Sequence, residues 1–540
     1  MSLYKTFSNI DWCIKNAEFD TAIEELNLLK PIIIENFSAL SEIDKIKPGD
    51  ERTDRAVVLV LNYCGFLISC GDIKKDKSVI EEGMSYAQSV FSKLSSDHSL
   101  YSSYGYNLAN GYSSLYEIKQ NFHEQFFIGD KQTEEAKQLY RTILTNIDSC
   151  NKLILSILTN YANLLNGRLG RSIEALHVFD RALDIEPKFS MALANKGYVQ
   201  NLLASVTDGE AKKVLLHEAY INIKKAINLG LEVGPRQYFE GIIENNIKKI
   251  FPDISSLGEN IECSITLSDE GDFKSYYKKF CVSHGLYLNP ISKSHQCAAA
   301  TYDPLIITKM LVEKSQLNKL YKFSGYFNQI KQEYVFARYL TAQSFYQDPS
   351  IKFIDEDVVL LNTLEYSAHS IFLEQARTAF RVSYSILDKI AFFMNEYLDL
   401  GFPENRIYFY LFSPLHRKNK LEKLYPIQNP YLAAILDLAT DFTNGHFEKI
   451  SKLRNALEHR FKSVHIFDIP QNDVEEENIN KMTTKEFREL LVEFLVIVKS
   501  AIFYLALFID WEEKKKVKEK GDHKLVPIRL HELKDELKGG

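Results

Sequence analysis

The sequence contains little cysteine, methionine or tryptophan, and its cysteines lack the spacing of a disulfide framework. Among 540 residues there are seven Cys, six Met and two Trp, and no CxxC pair occurs. An odd number of cysteines fits reduced, mostly buried thiols better than paired ones. With only 23 Gly and 14 Pro and 45% hydrophobic residues, the chain should be globular and should bury at least two cores.

One group of cysteine and histidine residues is a candidate metal site. Cys281 and His284 are separated by two residues, and His295 and Cys297 by one. Four soft ligands of this kind could bind zinc. The alternative is a loop with ordinary Cys and His, because the spacing is loose and nothing nearby resembles a zinc module. We therefore expect no cofactor.

The sequence also lacks a long uncharged apolar run and a secretory signal. The longest apolar run, near the C-terminus, is interrupted by Glu493 and Lys499, whereas a membrane span needs about 20 nearly uncharged residues. This run is predicted to form a buried core helix. The start, MSLYKTFSNIDW, has no basic segment, apolar core or cleavage site. We expect a cytoplasmic protein without membrane contact.

An excess of positive charge is missing as well. The net charge is -7, and the first 300 residues contain 32 Lys or Arg against 38 Asp or Glu. Any contact with nucleic acid must therefore use a local patch instead of a global field. The best basic cluster is HRKNKLEKLY, residues 416–425, which includes Arg417 and Lys418. The alternative interpretation of this cluster is a solvated loop.

Helical periodicity is abundant, and the first half of the chain contains a repeat. In SIEALHVFDRALDIEPKF, the residues Ala175, Phe179 and Ala182 have the spacing of a tetratricopeptide repeat, in which small residues let two antiparallel helices approach. Similar small and apolar spacings begin at three other places, Ala22, Ala136 and Ala219. We predict a helical solenoid over residues 1–250, whose groove binds a protein or peptide partner.

Turn signals interrupt this pattern over residues 251–304, which predicts a linker with irregular structure. Amphipathic helices return over residues 305–511 and predict an antiparallel helical bundle, followed by a charged tail at 512–540. The predicted fold class is therefore all-α, with a tetratricopeptide-like solenoid followed by a helical bundle.

The helix SKLRNALEHRF, residues 451–461, carries an unusual set of polar side chains. At 100° per residue, Glu458, Asn455 and His459 lie about 40°, 100° and 140° from Arg454, opposite an apolar face that includes Leu457. Arginine, asparagine and histidine without lysine can hold a phosphate and move a proton. A solvated helix face is the alternative.

This helix is similar to the signature of the HEPN superfamily (higher eukaryotes and prokaryotes nucleotide-binding), which has Arg, a polar residue, three further residues and His. Three other stretches follow the order of a HEPN branch that comes after tetratricopeptide repeats. They are YYKKFCVSHGLYLNP, FNQIKQEYVFARYL and AFRVSYSILDKIAFFMNEYLDLG. The resemblance covers the second half of the chain and, by architecture, much of the first.

The resemblance implies a metal-independent endoribonuclease in a prokaryotic defence or toxin setting. In this interpretation Arg454 binds the scissile phosphate, His459 transfers protons and Asn455 orients the pair. The products would be a 2′,3′-cyclic phosphate and a 5′-hydroxyl, and the site would form across a homodimer. Phe461 stands where some HEPN toxins have a tyrosine that a partner enzyme modifies, so we do not expect silencing by that route.

Further side chains are candidates for RNA contact: Glu458, Arg460, Arg381, Arg417 and Lys418. Glu458 is either an ion-pair partner of Arg454 on the same helix or a solvated residue. Arg381 and Asp388 share one face of an earlier helix, where a structural salt bridge is the alternative. For the whole protein, the alternative function is a non-catalytic scaffold or RNA-binding protein that dimerises through the bundle.

Overall fold

The structure is a computed structural model, and it describes most of the chain. The residues that it does not describe are 1–2, 17, 124–128, 149–150, 232, 258–271, 292–297, 308–309, 313–316, 362–366, 415–423, 425, 460–462, 466–480, 521–525, 529–531 and 539–540. Contacts divide the chain into two compact units. The first contains residues 1–169 and 174–193, and the second contains residues 170–173 and 194–540.

The chain up to residue 203 is a succession of helices joined by short connections. They are α1 (Leu3–Lys15), α2 (Phe19–Ser41), α3 (Glu51–Lys74), α4 (Lys77–Phe91), α5 (Tyr101–His123), α6 (Lys131–Asn146), α7 (Ile154–Gly167), α8 (Ser172–Ile185) and α9 (Ser190–Leu203). Side chains of Asp50, Asp76 and Asp130 accept backbone hydrogen bonds at the starts of α3, α4 and α6. These caps satisfy amide groups that the first turn leaves open.

Small residues at the helix crossings explain why these helices pair closely. A Cβ atom at Gly83 of α4 would lie 2.9 Å from the carbonyl oxygen of Cys64 in α3, and one at Gly105 of α5 would lie 2.5 Å from Ile143 of α6. The small and apolar residues of the predicted repeats are buried, as their spacing predicts. They are Ala22, Leu26, Leu29, Ala109, Ala136, Tyr140, Ile143, Ala175, Phe179, Ala182, Ala219, Ile223 and Ala226.

The remaining elements are also mainly helical, which confirms the all-α fold class for the described residues. The helices are α10 (Gly209–Asn228), α11 (Val233–Ile242), which continues through a π-helical turn (Ile243–Ile247) into α12 (Lys248–Ile250), α13 (Phe273–Ser283), α14 (Leu317–Tyr346), α15 (Phe353–Glu356), α16 (Ile371–Tyr397), α17 (Pro430–Asp441), α18 (Glu448–His459) and α19 (Thr484–Lys520). Two short sheets pair β1 (Met310–Val312) with β4 (Val526–Ile528), antiparallel, and β2 (Ser463–His465) with β3 (Lys481–Thr483), parallel.

The second unit begins earlier in the chain than the repeat pattern predicts. Helix α10 packs on residues of the expected linker, because the amide of Ala211 donates to the Tyr302 hydroxyl at 2.9 Å and Ala211 shares an apolar cluster with Ile291, Ala299 and Ala300. The expected linker also contains α13, whose Phe280 and Cys281 are buried. Residues 251–304 are therefore less irregular than expected.

Residues 170–173 belong to the second unit because of two close contacts. Gly170 has a φ of +66°, and a Cβ there would lie 2.1 Å from the carbonyl oxygen of Pro430 at the start of α17. The guanidinium of the buried Arg171 pairs with Asp437 at 2.6 Å and also with Asp441, both on α17. A buried pair of this kind is costly to break from one side, since the remaining charge would lose its partner.

The core of the second unit is built around α14, α16 and α19. Helices α14 and α16 are antiparallel, since Lys322 pairs with Glu396 at one end, at 2.7 Å, and Gln375 donates to Gln343 at the other. In α19, the prediction of a buried core helix is confirmed. The buried Lys499 donates to the carbonyl oxygens of Gly285 and Asn289, at 2.8 and 2.9 Å.

Two described helices, α3 and the part of α19 up to residue 516, are long and apolar enough to cross a membrane by length and composition alone. The most apolar window of α19 is 78% buried inside the structure, as a core helix should be. The first part of the expected tail also joins this core, because Glu513 is buried and accepts from the amide of Leu311 at 2.6 Å. The strand β4 then pairs with β1.

Candidate functional site

Helix α18 carries the arginine and histidine that the sequence selects. It spans Glu448–His459, and its buried face is formed by Ile450, Leu453 and Ala456, each at most 5% exposed. Leu457, which the helical projection places on the apolar face, is only partly buried. The buried face of α18 therefore includes Ala456 beside Leu453, and Leu457 lies at its edge.

Arg454 lies at the border between the core and solvent. Its side chain is half-buried, and its guanidinium carbon lies 5.1 Å from the centre of the Tyr384 ring of α16. Such a cation–π contact contributes about 0.5 to 2 kcal/mol, depending on how far the cation is desolvated. The prediction that Arg454 lies on a purely polar arc is thus only partly right, because one side of the guanidinium packs on the bundle.

The ring beneath Arg454 is itself fixed by other aromatic side chains. Tyr384 is 7% exposed, and its ring lies 6.2 Å from Phe442 in an edge contact and 5.9 Å from Phe494 of α19. Phe442 also packs on Phe447, one residue before α18 begins, with 5.1 Å between ring centres. The same aromatic cluster therefore holds both the platform for Arg454 and the start of its helix.

The other predicted site residues are described only in part. The backbones of Asn455, Glu458 and His459 lie in α18, but their side chains are outside the described part of the structure. Arg460, Arg417 and Lys418 lie outside the described residues altogether. Their roles, and the Arg454–Glu458 ion pair, remain predictions.

The backbone nevertheless places His459 along α16. Helix α18 runs antiparallel to α16, because Arg454 packs on Tyr384 while Val464, further along the chain, accepts from the amide of Ala368 at 2.7 Å. His459 lies five residues, or about 7.5 Å, beyond Arg454 along the helix axis. Because α16 runs in the opposite direction, His459 lies beside about residue 379 of α16, five residues before Tyr384.

Arg381 lies close to this level and does not form the predicted alternative salt bridge. Its exposed side chain donates from Nη2 to the Thr378 hydroxyl at 3.1 Å. Asp388 instead accepts from the backbone amide of Phe409 at 2.8 Å. Arg381 and Asp388 thus share a helix face but bond to different partners. The side chain of Arg381 is exposed to solvent.

Arg377 is not among the residues predicted from the sequence, although it lies near the same level of α16. Arg377 lies seven residues before Tyr384, which puts the two side chains about 20° apart around α16. Its side chain is 18% exposed and forms an ion pair with Glu374. The spacing of Arg377, Arg381 and Tyr384 in EQARTAFRVSYS is the signal that identifies them as one stripe.

The possible zinc ligands are only partly within the described residues. Burial raises the pKa of the Cys281 thiol to about 12, although Arg338 nearby opposes this. The Nδ1 atom of His284 lies 2.9 Å from the carbonyl oxygen of Phe280. His295 and Cys297 are outside the described part of the chain. Within the described part, no three His, Cys, Asp or Glu side chains are grouped to hold a metal ion.

Residues 314–512 match the family model of LA2681-like HEPN. No curated protein matches the chain. Two solved structures of nearly identical TPR-like repeats from Podosopora anserina, one of them a point variant, match with 13% and 14% identity. They cover 45% and 47% of this chain and 96% of theirs, with TM-scores of 0.24 and 0.25, which are too low to carry any conclusion.

The second unit therefore contains a HEPN domain, a helical bundle with an R-x4-H helix at its surface. Residues 314–512 are, more specifically, a LA2681-like HEPN domain. Both Arg454 and His459 lie inside the matched range, and so do Arg377, Arg381 and Tyr384 of α16.

Proposed function

We propose that this protein is a metal-independent endoribonuclease whose site is built on α18. The observation that carries the proposal is the position of Arg454. This arginine belongs to the R-x4-H helix of a HEPN domain, and its guanidinium rests on the ring of Tyr384 in α16. A half-buried guanidinium that rests on an aromatic ring suits a phosphate, because its planar donors match the phosphate oxygens.

In the proposed reaction the ribose 2′-oxygen attacks the adjacent phosphorus. A new bond forms from the 2′-oxygen to phosphorus, and the bond from phosphorus to the 5′-oxygen breaks. One imidazole accepts the proton of the 2′-hydroxyl, and another proton is delivered to the leaving 5′-oxygen. Arg454 stabilises the charge that develops on the phosphate oxygens, and Asn455 orients the reacting groups. The products are a 2′,3′-cyclic phosphate and a 5′-hydroxyl.

The site is proposed to form across a homodimer of the bundle. On one α18 the positions of Arg454 and His459 are about 140° apart, so a single copy presents a wide and open site. A two-fold contact between two α18 helices would line a cleft with two arginines and two histidines. One histidine could then serve the 2′-hydroxyl and the other the leaving oxygen.

The helices before the bundle are proposed to regulate cleavage in a cytoplasmic defence or toxin system. Their repeat pattern is typical of a groove that binds a protein or peptide. The acidic balance of the first 300 residues favours a partner with a basic or neutral surface over direct contact with RNA.

Incubation of the purified protein with total RNA in EDTA tests the proposal. We expect fragments that end in a 2′,3′-cyclic phosphate and a 5′-hydroxyl, and we expect Arg454→Ala and His459→Ala to abolish them. The matched control is Lys452→Ala on the same helix, since Lys452 is exposed and pairs only locally with Glu448 at 2.6 Å. RNA that binds without being cut would support the scaffold alternative instead.

A further inference from the structure

The stripe on α16 that faces α18 carries two arginines at different depths. Arg377 and Arg381 are one helical turn apart, about 6 Å along the axis, and both precede Tyr384. Arg381 is exposed, whereas Arg377 is 18% exposed and held by Glu374. Their backbone positions are one turn apart and both side chains are long, so the two residues can contact different phosphates of one strand.

These two arginines lie on either side of the level that the backbone gives for His459. That level is about residue 379 on α16, since α18 runs antiparallel from Arg454 over Tyr384. Arg377 shares the face of Tyr384, and Arg381 lies about 60° from it around the helix. The stripe therefore includes the ring that contacts the Arg454 guanidinium, and by helix geometry it passes beside the turn that carries His459.

The local charge of this stripe differs from that of the whole chain. Arg377, Arg381 and Arg454 supply three positive charges, and Glu374 is the acidic partner on the same stretch. The whole chain has a net charge of -7, so nucleic acid should be attracted only where positive groups are clustered. Glu374 is 52% exposed, so its ion pair with Arg377 is partly screened by solvent.

We propose that Arg377 and Arg381 bind the phosphates that neighbour the scissile phosphate, so that the RNA strand lies along the first half of α16. The placement of the scissile phosphate at Arg454 rests on the proposed ribonuclease function. The binding surface itself does not need cleavage, and it can be measured with RNA that cannot be cut.

The test is the binding of a fluorescent 2′-O-methyl RNA by the full chain at a series of salt concentrations. Methylation removes the attacking hydroxyl, so binding is separated from cleavage. Each phosphate contact contributes about 0.7 to the slope of log affinity against log salt for a single strand. We expect Arg377→Gln and Arg381→Gln each to lower the slope by about this amount and to weaken binding about tenfold.

Two further variants control for charge and for folding. Lys322→Gln removes one charge from the ion pair with Glu396, 19 residues or about 28 Å along α16 from Arg377, and it should leave the slope unchanged. Arg377→Lys keeps the charge and should retain most of the slope. If Arg377→Gln does not fold, the proposal is tested by Arg381→Gln, because Arg381 is exposed, and by Arg377→Lys.

The inference is wrong if Arg381→Gln binds like the Lys322→Gln control, or if the parental chain does not bind the RNA at low salt. Cleavage of unmodified RNA is measured separately with the same variants. A parental chain that binds through both arginines but cuts no RNA would refute the proposed function and leave this surface intact. If the parental chain cuts RNA but Arg377→Gln and Arg381→Gln leave the salt slope unchanged, this binding surface is refuted and the proposed function is not.

Discussion

Arg338 and Arg454 are both held against tyrosine rings, yet one is enclosed by the protein and the other is not. Arg338 is 2% exposed and contacts three tyrosine rings, at 4.6 to 5.8 Å. Its nitrogens donate to the Tyr277 hydroxyl, the Leu286 carbonyl and both oxygens of Asp303. Arg454 is half-buried, and its guanidinium carbon lies 5.1 Å from the centre of the Tyr384 ring.

The difference separates an arginine that stabilises the fold from one that can bind a ligand. Burial alone would raise the pKa of the Asp303 carboxyl, but the Arg338 guanidinium, together with the Leu288 amide and Lys331, holds that pKa below its usual range. The pair is therefore stabilising at neutral pH, and its contribution is lost as the pH falls through the lowered value. Arg454 is only half-buried, and the proposed phosphate contact uses its exposed part.

The largest expected effect is the loss of folded protein when the bundle is cut at residue 301. Such a fragment lacks Tyr277 and Leu286, which hold Arg338, and it lacks Gly285 and Asn289, which accept from Lys499. A fragment of residues 170–540 retains these contacts. We expect only the longer fragment to be soluble and to cleave RNA, as measured by circular dichroism and a cleavage assay.

If the longer fragment is folded and dimeric but inactive, the first unit contributes to catalysis and does not merely regulate it. If the fragment that begins at residue 301 folds with full stability, Arg338 does not have the structural role described here. Full-length protein from the same preparation is the control for both measurements.

The comparison of the two arginines predicts opposite effects of one substitution. Arg338→Met should lower the free energy of unfolding by about 3 to 5 kcal/mol, because Asp303 would remain buried without its charge partner. Arg454→Met should lower it by no more than about 2 kcal/mol and abolish cleavage. Urea unfolding and the RNA assay measure both quantities. Equal losses of stability would refute the distinction.

The two leucines of α18 should differ in the same manner. Leu453 is 1% exposed, so Leu453→Ala should cost about 2 to 5 kcal/mol of unfolding free energy. Leu457 is only partly buried, and Leu457→Ala should cost about 1 kcal/mol. Thermal and urea unfolding of the two variants, side by side, test the orientation of α18. A reversed order would mean that the helix is rotated about its axis.

A smaller effect on cleavage than the loss expected for Arg454→Met concerns the ring under Arg454. Tyr384→Leu removes the aromatic face, and we expect the catalytic rate constant to fall about tenfold, equivalent to about 1.4 kcal/mol, with little change in KM. Tyr384→Phe keeps the face and should be close to the parental enzyme. Phe442→Leu controls for general loosening of the aromatic cluster. Equal rates for the Leu and Phe variants at position 384 would exclude a positioning role of the ring.

Local periodicity predicts much of this molecule, because it reports which face of a helix is buried. The repeat residues from Ala22 to Ala226 are buried as their spacing predicts, and a helix over Glu448–His459 carries Arg454 and His459 as predicted. Periodicity does not report which distant element completes a contact. The ion pairs of Arg171 with α17 and the pairing of β1 with β4 join residues more than 200 positions apart.

The candidate site shows the same limit. Arg454 is identifiable from its own helix, but its contact with Tyr384 and the level of Arg377 depend on how α16 packs against α18. A helical stripe of two arginines and a tyrosine is common on solvated helices. The antiparallel packing of α18 on α16 is what brings this stripe beside the R-x4-H helix.

The central claim is that Arg454 and His459 form a ribonuclease site shared between two copies of the chain. The most direct measurement is cleavage by mixed dimers, purified by two different tags, of one Arg454→Ala chain and one His459→Ala chain. Each mixed dimer retains one intact arginine and one intact histidine, in different copies. We predict partial recovery of cleavage that neither mutant homodimer shows. Mixed dimers that are folded but inactive, or a parental protein that cleaves RNA as a monomer, would contradict the shared site.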